Sequence, residues 1–158
     1  MVFDPAAFRS VLGRFASGVT VVTARDAAGT DHGMTVSSFC SLSLDPPLVL
    51  LCVEHSTEMH GVLHEASAFA VNVLSGEQEA LARRFAEVMP DRFDGVGFSR
   101  GVTGAALLAD VLATIECEQR HRYPGGDHTI FTGEVVASSS SAGRPLLYYR
   151  GGYAQLER

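Results

Sequence analysis

The stretch GMTVSSFCSLSLDPPLVLLCV, residues 33–53, poses the question on which the fold turns. Its second half reads simply. Leu48 to Val53 is an unbroken apolar run behind a double proline, the pattern of a buried strand. The first half sets Thr35, Ser37, Ser38, Ser41 and Ser43, five hydroxyls in nine residues, among Val36, Phe39 and Leu42. In a regular strand alternate residues face opposite sides. Thr35, Ser37, Phe39 and Ser41 then share one face, and Val36, Ser38 and Cys40 the other. A buried hydroxyl without a partner costs on the order of 1–3 kcal/mol. The row therefore lies along a flat polar ligand, or forms an edge strand with its polar face in water. The pattern alone leaves both open.

The flanks supply the rest of a β-protein. VTVVTA (19–24) reads as a strand, and the turn-rich RDAAGTDHG returns it as a hairpin into the hydroxyl row. Asp45-Pro46-Pro47 is a rigid corner. Upstream, DPAAFRSVLGRFASG predicts a short helix with Asp4 as cap, Pro5 in the first turn and Gly18 as its end. Phe8, Val11, Leu12 and Phe15 share one of its faces. Downstream, STEMHGVLHEA (56–66) predicts a helix capped by Ser56 or Thr57, SAFAVNVL (67–74) a strand, and SGEQEALARRFA (75–86) a helix with Ser75 as cap. Residues 87–104 lack periodicity and predict an excursion over the surface. LATIECEQRHRY and TIFTGEVVAS predict strands joined by the turn PGGDH, and LLYY-RGG-YAQLE closes as a hairpin. Six or more short strands, two or three helices and no βαβ alternation predict a mainly β fold. The expected form is an antiparallel sheet closed into a barrel with helices outside it.

Composition narrows the functions. The 158 residues suit one domain with a real core. The apolar fraction is 46% and the charged fraction 19%, a thin charged coat that predicts a surface covered by another subunit. With a net charge of −6 and no Lys/Arg cluster beyond Arg120–Arg122, no nucleic-acid partner is expected. The N-terminus carries Asp4, Pro5 and Arg9 where a signal peptide needs basic and then apolar residues. No run reaches roughly 18 apolar residues, so no membrane span is expected. Cys40, Cys52 and Cys117 form no CxxC and lie in apolar, strand-like runs, which predicts three reduced core thiols in a cytoplasmic protein. His60 and His64 have a metal-ligand spacing but no third ligand, so no metal is expected. Neither a GxSxG elbow nor a GxGxxG fingerprint is present. Arg83 and Arg84 read as the solvated face of a helix.

Five blocks occur in order: GVTVVTA (18–24), residues 33–53, FAVNVL (69–74), GDHTIFTGEV (126–135) and PLLYYRGGY (145–153). Together they resemble the short-chain flavin reductase family, from about Phe8 to Tyr153. The resemblance implies a six-stranded antiparallel split β-barrel with a few flanking helices, assembled as a homodimer. It implies hydride transfer from NADH or NADPH to FMN or FAD, and delivery of reduced flavin to a partner monooxygenase. Matching places Thr35, Val36, Ser37 and Ser38 along the flavin ring and ribityl chain. Ser41, Leu42 and Ser43, before Asp45 and Pro46, match the stretch that supports the ring. The loop after Val53, with Ser56 and Thr57 at a helix start, matches the phosphate site. The family's second hydroxyl there is replaced by Met59, which implies a loosely held flavin. Asn72, Phe85 and Ala86 match residues near the flavin, as do Tyr148, Arg150 and Tyr153. Gly126, Asp127 and His128 match a triplet beside the nicotinamide, with His128 the expected catalytic group. Asn72 reads equally as a strand residue pairing with backbone, and 126–128 as a plain turn. Two other outcomes fit the same barrel: a tightly bound flavin that passes electrons or reduces another bound substrate, and a non-enzymatic flavin-binding barrel.

Overall fold

The structure, a computed structural model, describes residues 3–157. Helix α1 (Pro5–Leu12) starts where Asp4 Oδ1 accepts a hydrogen bond from Ala6 N at 2.9 Å. It ends earlier than its apolar spacing suggests. Gly13, not Gly18, closes it, with Gly13 N donating to Arg9 O at 2.8 Å, and Ser17–Gly18 forms the short strand β1. No residue of α1 is buried.

Strand β2 (Thr20–Arg25) pairs on one side with β3 (Asp31–Val36) and on the other with β6 (Ala68–Val73). Every β2 residue but Arg25 is buried, because both of its faces carry core. Val22 and Ala24 point into one cluster with Leu51, Val53, Phe69 and Phe131. Val21 points into a second with Leu74, Phe85 and Leu108. That sandwiching explains why VTVV is continuous rather than alternating.

Residues 34–43 do not form one strand. β3 stops at Val36 and β4 runs from Phe39 to Leu44, leaving Ser37 and Ser38 between them. The seven-stranded sheet has the order β3-β2-β6-β9-β10-β5-β4, where β5 is Pro47–Glu54, β9 Ala113–Gly125 and β10 His128–Ser140. β3 and β4 are its two edges, and a two-residue link joins them. At ~3.4 Å per residue such a link spans little more than 10 Å, so the sheet curls until its edges meet. The expected single strand from Thr35 to Ser41 is thereby corrected, and so is the strand count. The barrel sheet has seven strands, and two smaller sheets carry β1 with β11 (Leu146–Tyr149) and β12 (Gly152–Gln155), and β7 (Phe98–Arg100) with β8 (Ala106–Leu108).

Helix α2 (Glu58–Glu65) closes one end of the barrel by burying Met59, Val62 and Leu63. Helix α3 (Glu79–Ala86) packs Ala82 and Phe85 on the second cluster. Residues 87–104 are more than a surface excursion. Arg84 Nη2 donates to Asp91 O and Asp94 O, each at 2.7 Å, and Phe93 stacks edge-on against Phe85 at 5.1 Å. Arg92 Nη1 ties the same segment to Gly33 O at 2.8 Å.

Gly33 is required by that packing. A Cβ there would stand 2.6 Å from Cε1 of Phe85, which is fully buried. Gly33→Ala is expected to lower stability by about 1–3 kcal/mol through overpacking. Urea denaturation checks it: the midpoint should fall at constant slope, and an unchanged midpoint would show that the ring has room to move.

Candidate active site

A groove of about 750 Å³ runs between the outer face of the barrel and the α1 end of the chain. Ser37, Ser38, Phe39, Cys40 and Cys52 form its barrel wall, Arg9, Leu12 and Phe15 the α1 wall, and Tyr148 and Arg150 a third side. Strand register explains the barrel wall. Cys40 lies opposite Leu50, and Cys52 N donates to Ser38 O at 3.2 Å. Ser38, Cys40, Leu50 and Cys52 therefore share one face, while Val49, Leu51 and Val53 on alternate positions fill the core. The same register carries the face on into β10. Ile130 lies opposite Cys52 and His128 opposite Glu54. His128 thus stands on the face that carries Cys52, two residues along, or about 7 Å at ~3.4 Å per residue.

Apart from those at the start of α2 and in the β9–β10 turn, the expected site residues divide into three groups. Ser37, Ser38, Tyr148 and Arg150 line the groove. The Ser38 hydroxyl donates to Cys52 O at 2.7 Å and locks the crossover to β5. Tyr153 sits behind Tyr148, ring centroids 5.6 Å apart, with the Arg83 guanidinium 4.9 Å over its ring. Arg83 is thus more than a solvated charge. A second group lies along β4 and its corner, outside the lining: Ser41, Ser43, Asp45 and Pro46, with Leu42 pushed out by a bulge between Ser41 and Ser43. The Asp45-Pro46 bond is cis.

The third group faces inward. Thr35 Oγ1 donates to Ala82 O at 2.6 Å, and Val36 is buried in the barrel core. The expectation that Asn72 lies by the flavin is corrected. Asn72 is 0% exposed; its Nδ2 donates to Val21 O at 3.1 Å and its Oδ1 accepts from Leu108 N at 2.8 Å. It binds β6 to β2 and β8. Phe85 is corrected likewise, being fully buried under Gly33, while Ala86 beside it is exposed. Arg9, Phe15, Cys40 and Cys52 line the groove without having been singled out. Phe15 had the spacing of a buried helix face, yet it is 84% exposed.

Around the start of α2 the hydroxyls are already engaged. Thr57 Oγ1 donates to Glu54 O at 2.8 Å and accepts from His60 N at 3.3 Å. Ser56 Oγ donates to Glu54 Oε1 at 2.9 Å. Met59, in place of a hydroxyl, is 2% exposed and belongs to the barrel core. Nearby, His55 Nε2 and His60 Nε2 both contact Thr129 Oγ1, at 3.2 and 2.9 Å. Burial, followed by repulsion from His55 and His64, holds the His60 imidazole below its usual range. Among the described residues no three His, Cys, Asp or Glu are placed to hold a metal.

The turn between β9 and β10 contains Gly126 at φ 73° and Asp127, whose Oδ1 lies 2.7 Å from His128 Nδ1. That hydrogen bond keeps the Asp127 carboxyl below its usual range. A lowered carboxyl keeps the pair intact at neutral pH; the pair is lost as pH falls through the lowered value. The other turn at the groove, between β11 and β12, holds Arg150 at φ 54° and Gly151 at φ 79°. Two positive φ angles between paired strands are the type I′ arrangement, for which Asn-Gly is the ordinary choice. A side chain with a Cβ costs roughly 1–2 kcal/mol there.

A family model described as flavin reductase like domain matches residues 12–157. This chain belongs to that family. It is 45% identical over 152 residues to a "Probable flavin reductase" of Rhizobium meliloti strain 1021, covering 96% of this chain and 49% of that protein. The chain thus spans about half the length of that relative. It is 39% identical to the reductase subunit HsaB of a flavin-dependent monooxygenase from Rhodococcus jostii strain RHA1, covering 98% of this chain and 79% of that one. The solved structure of the NADH:FAD oxidoreductase SgcE6 of Streptomyces globisporus C-1027, in complex with NAD and FAD fragments, superposes with a TM-score of 0.93 at 41% identity. That match covers 99% of this chain and 97% of the other.

The three thiols of this flavin reductase-like domain differ in access. Cys40 is exposed, Cys52 half-buried and Cys117 buried. Burial, with the Glu116 charge adding, pushes Cys117 up to about 12, and burial raises Cys52 less. The thiolate is the nucleophile. At pH 8 an aromatic disulfide reagent is expected to titrate Cys40 first, Cys52 more slowly and Cys117 only in denaturant. Prompt reaction of Cys117 in the folded protein would contradict its place in the core.

Proposed function

We propose that this chain is an NAD(P)H-dependent flavin reductase, acting on FMN or FAD, folded as one domain of residues 1–158. The observation that carries the reading is the shared face of β4, β5 and β10, which sets Ser38, Cys40 and Cys52 in the groove wall and His128 beside them. The residues fit a flavin. Their small side chains allow close approach of a flat ring, and Phe15, Phe39 and Tyr148 offer apolar and aromatic cover. When bound, flavin supplies a ring that accepts a hydride from reduced nicotinamide. No protein nucleophile is needed. Ser37 and the backbone of 37–40 offer hydrogen bonds to ring heteroatoms. Gly126 leaves room for a second ring, and His128, oriented by Asp127, offers an N–H to it.

The loop at α2 supports a loosely held flavin. Its hydroxyls are spent on Glu54, and the Glu54 carboxylate stands beside the place a phosphate would take. We infer that flavin exchanges as a substrate and leaves reduced for a partner monooxygenase, as befits a relative of a monooxygenase reductase subunit. No helix of the described residues is long and apolar enough to cross a membrane. Three unpaired cysteines support a cytoplasmic site of action.

The test is turnover of NADH or NADPH with added FMN or FAD. Multiple turnovers dependent on added flavin support the reading; no oxidation with any of the four pairs in folded protein overturns it. His128→Ala is expected to lower kcat/KM by about a hundredfold, the low end for a positioned proton donor, with flavin affinity held. An unchanged rate would remove His128 from the site.

The exposed apolar residues support a homodimer. Phe8, Val11, Leu12 and Phe15 of the α1 region and Leu44 of the edge strand β4, itself 95% exposed, leave large apolar side chains at the surface of the chain. Sedimentation is expected to give two chains per particle, and Leu44→Lys with Val11→Asp a single chain. A monomeric parent protein would overturn this.

A further inference from the structure

We infer that Cys40 and Cys52 form a reversible oxidation site in the groove wall, a thiol pair that peroxide converts to a disulfide which shuts the groove. The shutting rests on the reductase reading above; the pairing of the thiols does not. Three observations carry the inference. The first is register. Cys40 on β4 lies opposite Leu50 on β5, and Cys52 N donates to Ser38 O at 3.2 Å. The two cysteines are therefore diagonal neighbours on adjacent strands, on one face. The second is access. Both line the groove, Cys40 exposed and Cys52 half-buried, whereas Cys117 is buried in the barrel core. An exposed thiol beside a second thiol is the arrangement in which a sulfenic acid, once formed, is resolved. Burial and then the charge of Cys40 raise the Cys52 thiol, so each sulfur lies within the other's electrostatic reach.

The third observation is the freedom of β4. Diagonal cross-strand positions stand roughly 7–8 Å apart at Cα, and a relaxed disulfide takes roughly 4.4–6.8 Å. The bond forms when β4 is drawn inward by about an ångström, the gap between those two ranges. β4 is an edge strand of the seven-stranded sheet, and its ladder to β5 is already broken by the bulge between Ser41 and Ser43. Drawing it in moves Ser38 and Phe39, which form the wall beside the thiols. A bridge made under strain is also easily reduced, the property of a regulatory disulfide and not of a structural one. The oxidant is hydrogen peroxide, the two-electron product of oxygen wherever reduced flavin meets it free in solution. The Cys40 thiolate attacks one peroxide oxygen; the S–O bond forms, the O–O bond breaks and water leaves. Cys52 then attacks the Cys40 sulfenic sulfur; the S–S bond forms, the S–O bond breaks and a second water leaves. Two thiols have lost two electrons and two protons, and one peroxide has become two waters. Exchange with a cellular thiol restores the pair. Reduced flavin that no oxygenase collects thus slows its own production.

The test treats the full chain with excess hydrogen peroxide and then removes the peroxide. Alkylation in denaturant and mass spectrometry of chymotryptic peptides locate the lost thiols. Fluorescence titration with FMN and FAD gives the affinity of the same sample. The expected result is a Cys40 to Cys52 link within one chain, Cys117 still free, and flavin affinity lowered about tenfold. Dithiothreitol is expected to restore both thiols and the affinity. Two variants, each compared with its own untreated form, separate the steps. In Cys52→Ser, peroxide is expected to carry Cys40 on to the sulfinic acid, which dithiothreitol does not reverse. In Cys40→Ser, affinity is expected to stay within twofold after treatment. A link between two chains overturns the inference, and so does a chain that keeps all three thiols. A Cys40 to Cys52 link that leaves flavin affinity within twofold overturns the shutting of the groove. A parent protein that neither binds nor reduces flavin overturns the reductase reading, and the thiol count still decides the pair.

Discussion

The link Ser37–Ser38 is the constraint on which the rest of the structure depends. Two residues join the opposite edges of a seven-stranded sheet, and covalent geometry leaves the sheet no choice but to close. Closure makes an inside, filled by Val22, Leu51, Val53, Phe69 and Phe131, and leaves a seam. The seam cannot be zipped by a full ladder, because the chain must cross it between two ladders. The link is pinned by the Ser38 hydroxyl on Cys52 O and by Cys52 N on Ser38 O. The groove opens at the seam, so the element that closes the barrel also forms the wall of the site.

The two cores have separate duties. The inner cluster, capped by Met59, Val62 and Leu63 of α2, makes the barrel rigid. The outer cluster under α3 holds residues 87–104 against β3 through Phe85, Phe93 and the two arginines Arg84 and Arg92. Asn72 is the polar joint between them. Its single amide satisfies β2 and β8 at once, a buried network with its hydrogen bonds made. The groove itself lies outside both cores. Its stability is borrowed from them through the half-buried Phe39 and Cys52, while most of its other residues remain exposed.

Much of this was legible in the sequence. The caps Asp4 and Thr57, the hairpin turns and the strands of β2, β5, β6, β9 and β10 follow from periodicity and turn chemistry. Ser37, Ser38, Tyr148 and Arg150 were named from their motifs and line the groove. Asn72 and Phe85 were misplaced for one reason: position along a motif does not tell which way a side chain points. Met59 shows the converse. The missing hydroxyl was visible, but not that the methionine fills the barrel end. Cys40 and Cys52 read as core thiols because apolar runs hide which alternate set faces out.

By itself the sequence determined the local terms: strands, turns, caps, the absence of a βαβ pattern, and the order of blocks shared with one family. These depend on neighbours within a few residues, and a few residues carry them. Only the tertiary structure decided that Ser37 and Ser38 are a link between sheet edges, that His128 shares a face with Cys52, and that the end of α1 and the β11–β12 turn line one groove. Those facts depend on register and closure. A one-residue slip would reverse every face, so they exist only once the whole sheet has been paired.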